Sequence, residues 1–349
     1  MIAFPGASLI EGLEAFGLAF ALALLLSPAI MAMLGAMKSR QSIHSHAPDA
    51  HKKKEGTPTM GGMIVLAGVV PTLIVNGLRN GPSLYWAAGL AAAFGFIGFV
   101  DDYLVPRMYP GKRGLSWLPK LVMQVAAATL AAPVLGLPFH VLTWGAVVFV
   151  VLFFANAYNF ADGLDSLAGS VGIAFAVALT AILLIVQPFA NLAPLMAIVG
   201  ALIPFLFINA PPARVFMGDV GSLPIGALFG MMALVPLRDA LLSVADPVAF
   251  AAESHPELTI ASSAMVLPIL VLSLLMVAEL VPVPMQVAYF KLTKGKRLFP
   301  MTPIHHAFEK KGWPESRVVW SFLWTQVLLG VAALAMTVQL LPSPPTGGR

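Results

Sequence analysis

The chain is 349 residues long, 59% hydrophobic and only 10% charged, with a mean hydropathy of +0.88. Soluble domains carry roughly 45–50% apolar residues, so this composition excludes a soluble globular fold and points to an integral membrane protein. The absence of cysteine excludes disulfides, cysteine-ligated zinc and thiol nucleophiles, and the net charge of +4 reads as a topology signal rather than a nucleic-acid footprint.

Ten apolar runs are predicted to span a membrane, at about 9–36, 59–78, 84–103, 118–137, 141–158, 166–187, 192–209, 220–237, 261–290 and 318–341. Their lengths fall near or above the roughly 17–25 residues that a spanning helix needs, and the period-two alternation of a β-barrel is not seen. No Lys or Arg precedes the first run, and Glu11 and Glu14 stand where a signal peptide has its basic region. That run is therefore expected to stay attached, with the N-terminus outside. Alternation then faces the loops at about 37–58, 104–117, 159–165, 210–219 and 291–317 inward. Together with Lys120, just beyond the second loop, they hold 17 of the 20 Lys and Arg residues; Arg79, Arg238 and Arg349 lie elsewhere. The positive-inside rule thus supports an all-α membrane protein of ten helices with both termini extracytoplasmic, a single polytopic domain over 1–349. The basic loops would also draw anionic lipid headgroups. The stretch 238–260, with Asp239, Asp246, Glu253 and Glu257, is expected to be a solvated outer loop. No convincing internal repeat is visible, which counts against a transporter built from inverted halves.

The polar residues that matter fall at the inner ends of these runs. Lys54-Glu55-Gly56-Thr57-Pro58-Thr59-Met60-Gly61-Gly62 is not a Walker A loop, because its lysine comes first. Its hydroxyls, glycines and lysine suit a phosphate or nucleotide, and an ordinary basic loop with a helix cap is the plain alternative. Asp101 and Asp102 close the third run. Adjacent ionised carboxylates at a helix C-terminus repel each other and oppose the macrodipole, so a cation, metal or substrate should compensate unless water does. Asn156, Asn159, Asp162 and Asp165 recur every three residues, a polar ladder on a drifting helical face that suits the wall of a cavity. Either acid would also serve as an N-cap for the next helix.

Asn209 precedes Pro211 and Pro212, and Phe216-Met217-Gly218-Asp219-Val220-Gly221-Ser222 opens the eighth run. A helix N-terminus attracts an anion, whether this aspartate, a phosphate, or both bridged by a cation. Mg²⁺ fits, since it takes one or two carboxylates plus substrate phosphate oxygens; simple capping is the alternative. Within the ninth run Glu279 lies near Pro282 and Pro284, where a kink is expected and an ionisable group needs a function, a buried partner or a proton. His305-His306-Ala307-Phe308-Glu309 does not have the order of a zinc-protease helix. Among Lys294, Lys296, Arg297, Lys310 and Lys311 the paired histidines suit a phosphate, or the loop binds lipid headgroups.

Taken in order, Gly56 to Gly62, Phe99 to Tyr103, Asn156 to Asp165, Phe216 to Ser222, and Pro303 to His306 with Gly312-Trp313-Pro314-Glu315 cover nearly the whole chain. In these motifs the sequence resembles the polyprenyl-phosphate N-acetylhexosamine-1-phosphate transferases, most closely their phospho-N-acetylmuramoyl-pentapeptide branch. The resemblance implies ten helices with both termini outside, in the cytoplasmic (inner) membrane. It also implies transfer of phospho-MurNAc-pentapeptide from UDP-MurNAc-pentapeptide to undecaprenyl phosphate, giving lipid I and UMP for peptidoglycan. Asp219 would be the Mg²⁺ ligand, with Asp101 and Asp102 handling the lipid phosphate or helping to hold the metal. Lys54, Asp162, Asn209 and Phe216 match the uridine pocket, where Phe216 stacks on the base, and His305 and His306 match a phosphate-contacting histidine motif. Thr59, Asn156, Asn159 and Asp165 join the substrate-binding set, and a homodimer is compatible with this reading. Three departures stand out: Ala307 replaces a third histidine, Val105 stands where a lysine is common, with Arg107 or Lys112 as substitutes, and Ala161 and Ser166 replace Thr and Gly. The competing readings are a relative that uses UDP-N-acetylglucosamine or another UDP-sugar, and a cation-coupled transporter, which would place its acids near the bilayer midplane.

Overall fold

The computed structural model describes residues 6–37, 56–112, 114–248, 250 and 262–341, and among these the fold is entirely helical. The principal helices are α1 (Gly6–Met37), α2 (Gly62–Asn80), α3 (Ser83–Phe99), α4 (Trp117–Ala128), α5 (Val141–Ala161), α6 (Leu167–Val186) and α7 (Ala193–Asn209). They continue with α8 (Asp219–Ala233), α9 (Val266–Leu272), α10 (Leu274–Leu280), α11 (Pro282–Leu292), α12 (Ile304–Lys310) and α13 (Glu315–Leu340). Among the described residues nine helices are long and apolar enough to cross a membrane, against the ten runs expected. The remaining run is α7, whose 17 residues make it one of the shorter apolar helices and stand at the lower end of the roughly 17–25 residues that a spanning helix needs.

Two expectations need correction. The ninth run is not one uninterrupted helix: it is interrupted at Ser273, whose hydroxyl donates to the Ile269 carbonyl at 2.7 Å. Leu274–Leu292, comprising α10 and α11, then runs on as one apolar helix, with Val281 in helical geometry ahead of Pro282. The start of the presumed outer loop is helical over Arg238–Ala245 and runs on from α8. Arg238 donates from Nε to the Leu135 carbonyl at 2.8 Å, satisfying an acceptor just after the short helix Ala131–Val134. The rest of that stretch, including Glu253 and Glu257, lies outside the described residues.

Lipid tails are as apolar as leucine, so helices in a bilayer associate through close packing rather than through the hydrophobic effect. Small residues accordingly form the seams. Ala15, Ala19 and Ala23, four residues apart on α1, are fully buried, and α1 packs against α7 and α2. α8 is the central helix, with 89% of its apolar window buried against 17% for Leu274–Leu292 on the periphery. It rests on α5 and α3. Below the polar end, Tyr158, Phe175 and Phe229 pack edge-on and tilted, with centroids 5.4 and 4.9 Å apart, and the Tyr158 hydroxyl donates to the Ala168 carbonyl at 2.7 Å.

Glycines set the level at which the helix ends meet. A Cβ on Gly62 would lie 2.1 Å from the Gly221 Cα, and one on Gly98 would lie 2.3 Å from the Asp219 carbonyl carbon. The N-termini of α2 and α8 and the end of α3 are therefore in backbone contact, an approach that no larger residue permits. The strand-like stretch before α2 completes the junction: Gly61 donates to the Phe216 carbonyl at 2.7 Å, Gly62 to Met217 at 2.9 Å, and Phe216 to Pro58 at 2.9 Å.

Candidate active site

α3 does not stop at the acid pair. Residues Val100–Leu104 continue it as a π-helical turn, with Asp101 and Asp102 in the first turn. One extra residue per turn rotates the two carboxylates relative to an α-helix, a distortion common at functional sites. Asp219 begins α8, where a negative group is favoured by the exposed N–H groups and the dipole. Oxygen atoms of Asp101, Asp102 and Asp219 all lie within 4.8 Å of one another. Three carboxylates at that spacing repel strongly unless something positive lies among them.

The compensation comes from two sources. Lys120, in the first turn of α4, donates from Nζ to Asp101 Oδ2 at 3.3 Å and also to Asp219 Oδ2. Asp102 Oδ2 accepts from the Val220 amide at 3.3 Å, and Asp101 Oδ1 from the Leu115 amide at 2.8 Å. Arg107 and Lys112, expected to stand in for the missing lysine, do not take that place. Arg107 lies over the Tyr103 ring at 5.6 Å and Lys112 over Tyr109 at 5.0 Å. Lys120, which in the sequence counted only toward topology, is the basic residue that the structure brings among these acids. Its signal was a lysine at the start of an apolar helix, the end where the macrodipole disfavours a cation.

The polar ladder divides between helices. Asn159 donates from Nδ2 to Asp219 Oδ1 at 2.7 Å and to the Ser222 hydroxyl at 2.8 Å, and so orients the aspartate. Asn156, one turn earlier, pairs instead with Gln124 on α4, at 3.0 Å from its Nδ2 to Oε1. Asp162 ends α5 and accepts from the Gly218 amide at 3.0 Å. Removal from water and the nearby charge of Asp219, with Asp165 adding a little, push the Asp162 carboxyl well above the usual carboxylate range, against the pull of the Gly218 N–H. Neither acid caps α6. Ser166 holds that position, with a left-handed φ of 67°.

Asp165 and Asn209 shape the site rather than facing it. Asp165 is buried, accepts from the Ala213 amide at 3.0 Å, and donates its own amide to Glu315 Oε1 at 2.7 Å. Asn209 is buried between the Ser166 amide, 2.8 Å from its Oδ1, and the Val215 carbonyl, 2.9 Å from its Nδ2. Thr59 Oγ1 and Asp102 Oδ2 both crowd Gly218. Phe216 is half-buried in the loop before Asp219. His306 Nδ1 lies 2.7 Å from Glu309 Oε2, whereas His305 is fully buried with Nδ1 2.9 Å from Glu279 Oε2. The buried-pair reading of Glu279 is therefore the one observed. Lys54 lies outside the described residues.

Residues 84–236, which span α3 to α8 and contain the three aspartates, match the model of the Glycosyl transferase family 4. The phospho-N-acetylmuramoyl-pentapeptide-transferase of Desulfatibacillum aliphaticivorans is 34% identical, over 91% of this chain and 90% of that protein. The chain belongs to that transferase family. Proteins of the same name from Desulforudis audaxviator and Listeria welshimeri are 34% and 32% identical. They match over 94% and 90% of this chain and 98% and 94% of their own lengths, so the likeness covers most of each chain. As a phosphotransferase of this family, the protein is an enzyme, and its acidic cluster is of the kind that holds a metal ion. Hard carboxylate oxygens from three residues, with a helix N-terminus beside them, fit a small divalent cation.

Proposed function

We propose that the protein transfers phospho-MurNAc-pentapeptide from UDP-MurNAc-pentapeptide to undecaprenyl phosphate, with Mg²⁺ held by Asp219 together with Asp101 and Asp102. The observation that carries this reading is the gathering of three carboxylates and Lys120 at the meeting point of α3, α4 and α8. An oxygen of the lipid phosphate bonds to the sugar-bearing phosphorus of the donor, the bond from that phosphorus to UMP breaks, and UMP leaves with its bridging oxygen. One phosphoanhydride replaces another, so the enzyme's task is positioning and charge neutralisation rather than supplying energy. Mg²⁺ bound at the cluster would neutralise the charge of the two phosphate groups.

The chain's own residues divide the remaining work. Asp101 and Asp102 face the lipid phosphate, and Lys120 balances them and offers an ammonium to phosphate oxygens. Asn159 keeps Asp219 oriented. Asp162, Asp165, Asn209, Asn156, Thr59, Phe216 and Lys54 form or shape the donor pocket, with Phe216 against the uracil. His306 serves the diphosphate, while the enclosed His305, expected from the motif to contact phosphate as well, supports His306 from behind. The deciding experiment is UMP release by the purified protein with undecaprenyl phosphate, Mg²⁺ and either UDP-MurNAc-pentapeptide or UDP-N-acetylglucosamine. Release from the first donor is expected; release from the second alone would transfer the reading to another sugar, and none from either would end it.

The site lies on the cytoplasmic side of the inner membrane in this reading, with both termini outside. The placement of 17 of 20 Lys and Arg residues supports it. Because the chain has no cysteine, the single substitutions Gly111→Cys and Asn80→Cys test it with an impermeant thiol reagent. Labelling of the second but not the first is expected in intact cells, and the reverse pattern would invert the topology.

A further inference from the structure

Glu279 and His305 are the most enclosed ion-pairing groups described in the molecule, with 0% of either side chain exposed. An isolated carboxylate inside a membrane helix is costly and persists where it is paired or used. Glu279 sits on α10, which packs against α5 and against α12, the helix that carries His305. A carboxylate only accepts, so the imidazole donates Nδ1–H to Glu279 Oε2 across 2.9 Å. That bond fixes the ring and directs its other nitrogen away from α10. Nε2 is buried without a hydrogen-bond partner and presses on the Asp162–Asp165 turn, where a Cβ on Gly163 would lie 2.2 Å from it. The ring also packs at a tilt of 56° against His306, with centroids 4.1 Å apart.

We propose that Glu279 is a positioning residue which, through His305, sets the Asp162–Gly163 turn and the His306 ring for the transfer reaction. The path is short and continuous. Glu279 holds His305, His305 abuts Gly163, Asp162 accepts from the Gly218 amide, and Gly218 leads directly into Asp219. A peripheral helix is thereby tied to the aspartate at the centre of the site. Gly163 is required because the imidazole occupies the space that any side chain would need.

This inference rests on the transferase reading, and its test separates the two. Kinetics of UMP release and detergent-solubilised melting are measured for the wild type, Glu279→Gln and Glu279→Met. Gln keeps an oxygen that accepts from Nδ1, so activity within about fivefold of wild type is expected. Met fills the space but leaves His305 unheld. It should melt near the wild type yet lose about 10²-fold in kcat, the cost of a displacement of roughly 1 Å in a reacting site. Wild-type kcat in Glu279→Met, or equal loss in both variants, would overturn the proposal. If Glu279→Met does not fold, Gly163→Ala decides. It keeps both Glu279 and His305 but puts a methyl where the imidazole lies, so a comparable fall in kcat is expected and wild-type kcat would refute the path. An inactive wild type would instead remove the transferase reading itself.

Discussion

The Asp101–Asp102–Asp219 cluster and the Glu279–His305 pair both place acids at the ends or within the body of apolar helices, yet they differ in enclosure and in valence. Asp101 and Asp219 retain 16% and 18% side-chain exposure, and their lysine 21%, whereas Glu279 and His305 have none. Three acids balanced by one ammonium leave a net negative, solvent-reachable site that a divalent cation can enter. One acid and one imidazole enclosed together are bonded to each other out of reach of solvent, which suits a group that holds other groups in place. Exposure, rather than residue type, separates residues that meet the substrates from residues that position them.

The largest effect expected on this contrast comes from Asp219→Asn. It removes a carboxylate from the cluster, keeps the Asn159 contact, and should lower UMP release by about 10³-fold, since several kcal/mol of charge stabilisation are lost at 1.36 kcal/mol per decade. Melting should be unchanged, and near-normal turnover at saturating Mg²⁺ would move the metal elsewhere. Lys120→Met comes next. Activity should fall about 10²-fold while affinity for Mn²⁺, measured by calorimetry without substrates, rises about tenfold because a competing cation has gone. Unchanged or weaker Mn²⁺ binding would show that Lys120 does not occupy the cation's place.

Asp162→Asn should produce the smallest change, and it appears in pH dependence. The native carboxyl is raised above its unfolded value, so the native state holds the proton more tightly. The stabilisation this supplies is complete below the unfolded value, near pH 3.9, and is lost as pH rises through the raised native value. Without divalent cation, the melting temperature of the wild type should therefore decline over that window, and the decline should flatten in Asp162→Asn, whose Oδ1 still accepts from Gly218. An identical pH profile in the two proteins would show that another group governs it.

Much of this was legible in the sequence. Hydropathy located most of the apolar helices to within a few residues, because every backbone group in a bilayer must be satisfied within a helix or a closed sheet. It missed the continuation of the eighth to Ala245 and the interruption of the ninth at Ser273. Gly218-Asp219 announced a helix start that favours a negative group, and the unbalanced Asp101-Asp102 pair demanded compensation. What remained unreadable was who supplied it. Lys120 and Asp219 are 99 residues apart, and Glu279 and His305 are separated by 26 residues and a change of helix. Likewise Asn156 and Asn159 look equivalent in the sequence, but one turns to Gln124 and the other to Asp219.

The sequence by itself determined the membrane-spanning class, the helix ends where acids gather and the motif order that marks the family, because these depend on local hydropathy and spacing. Only the tertiary structure decided which acids share a site, which lysine balances them and which histidine is locked away. Those choices turn on backbone contacts at Gly62, Gly98 and Gly221, and contacts between distant helices have no period in the chain.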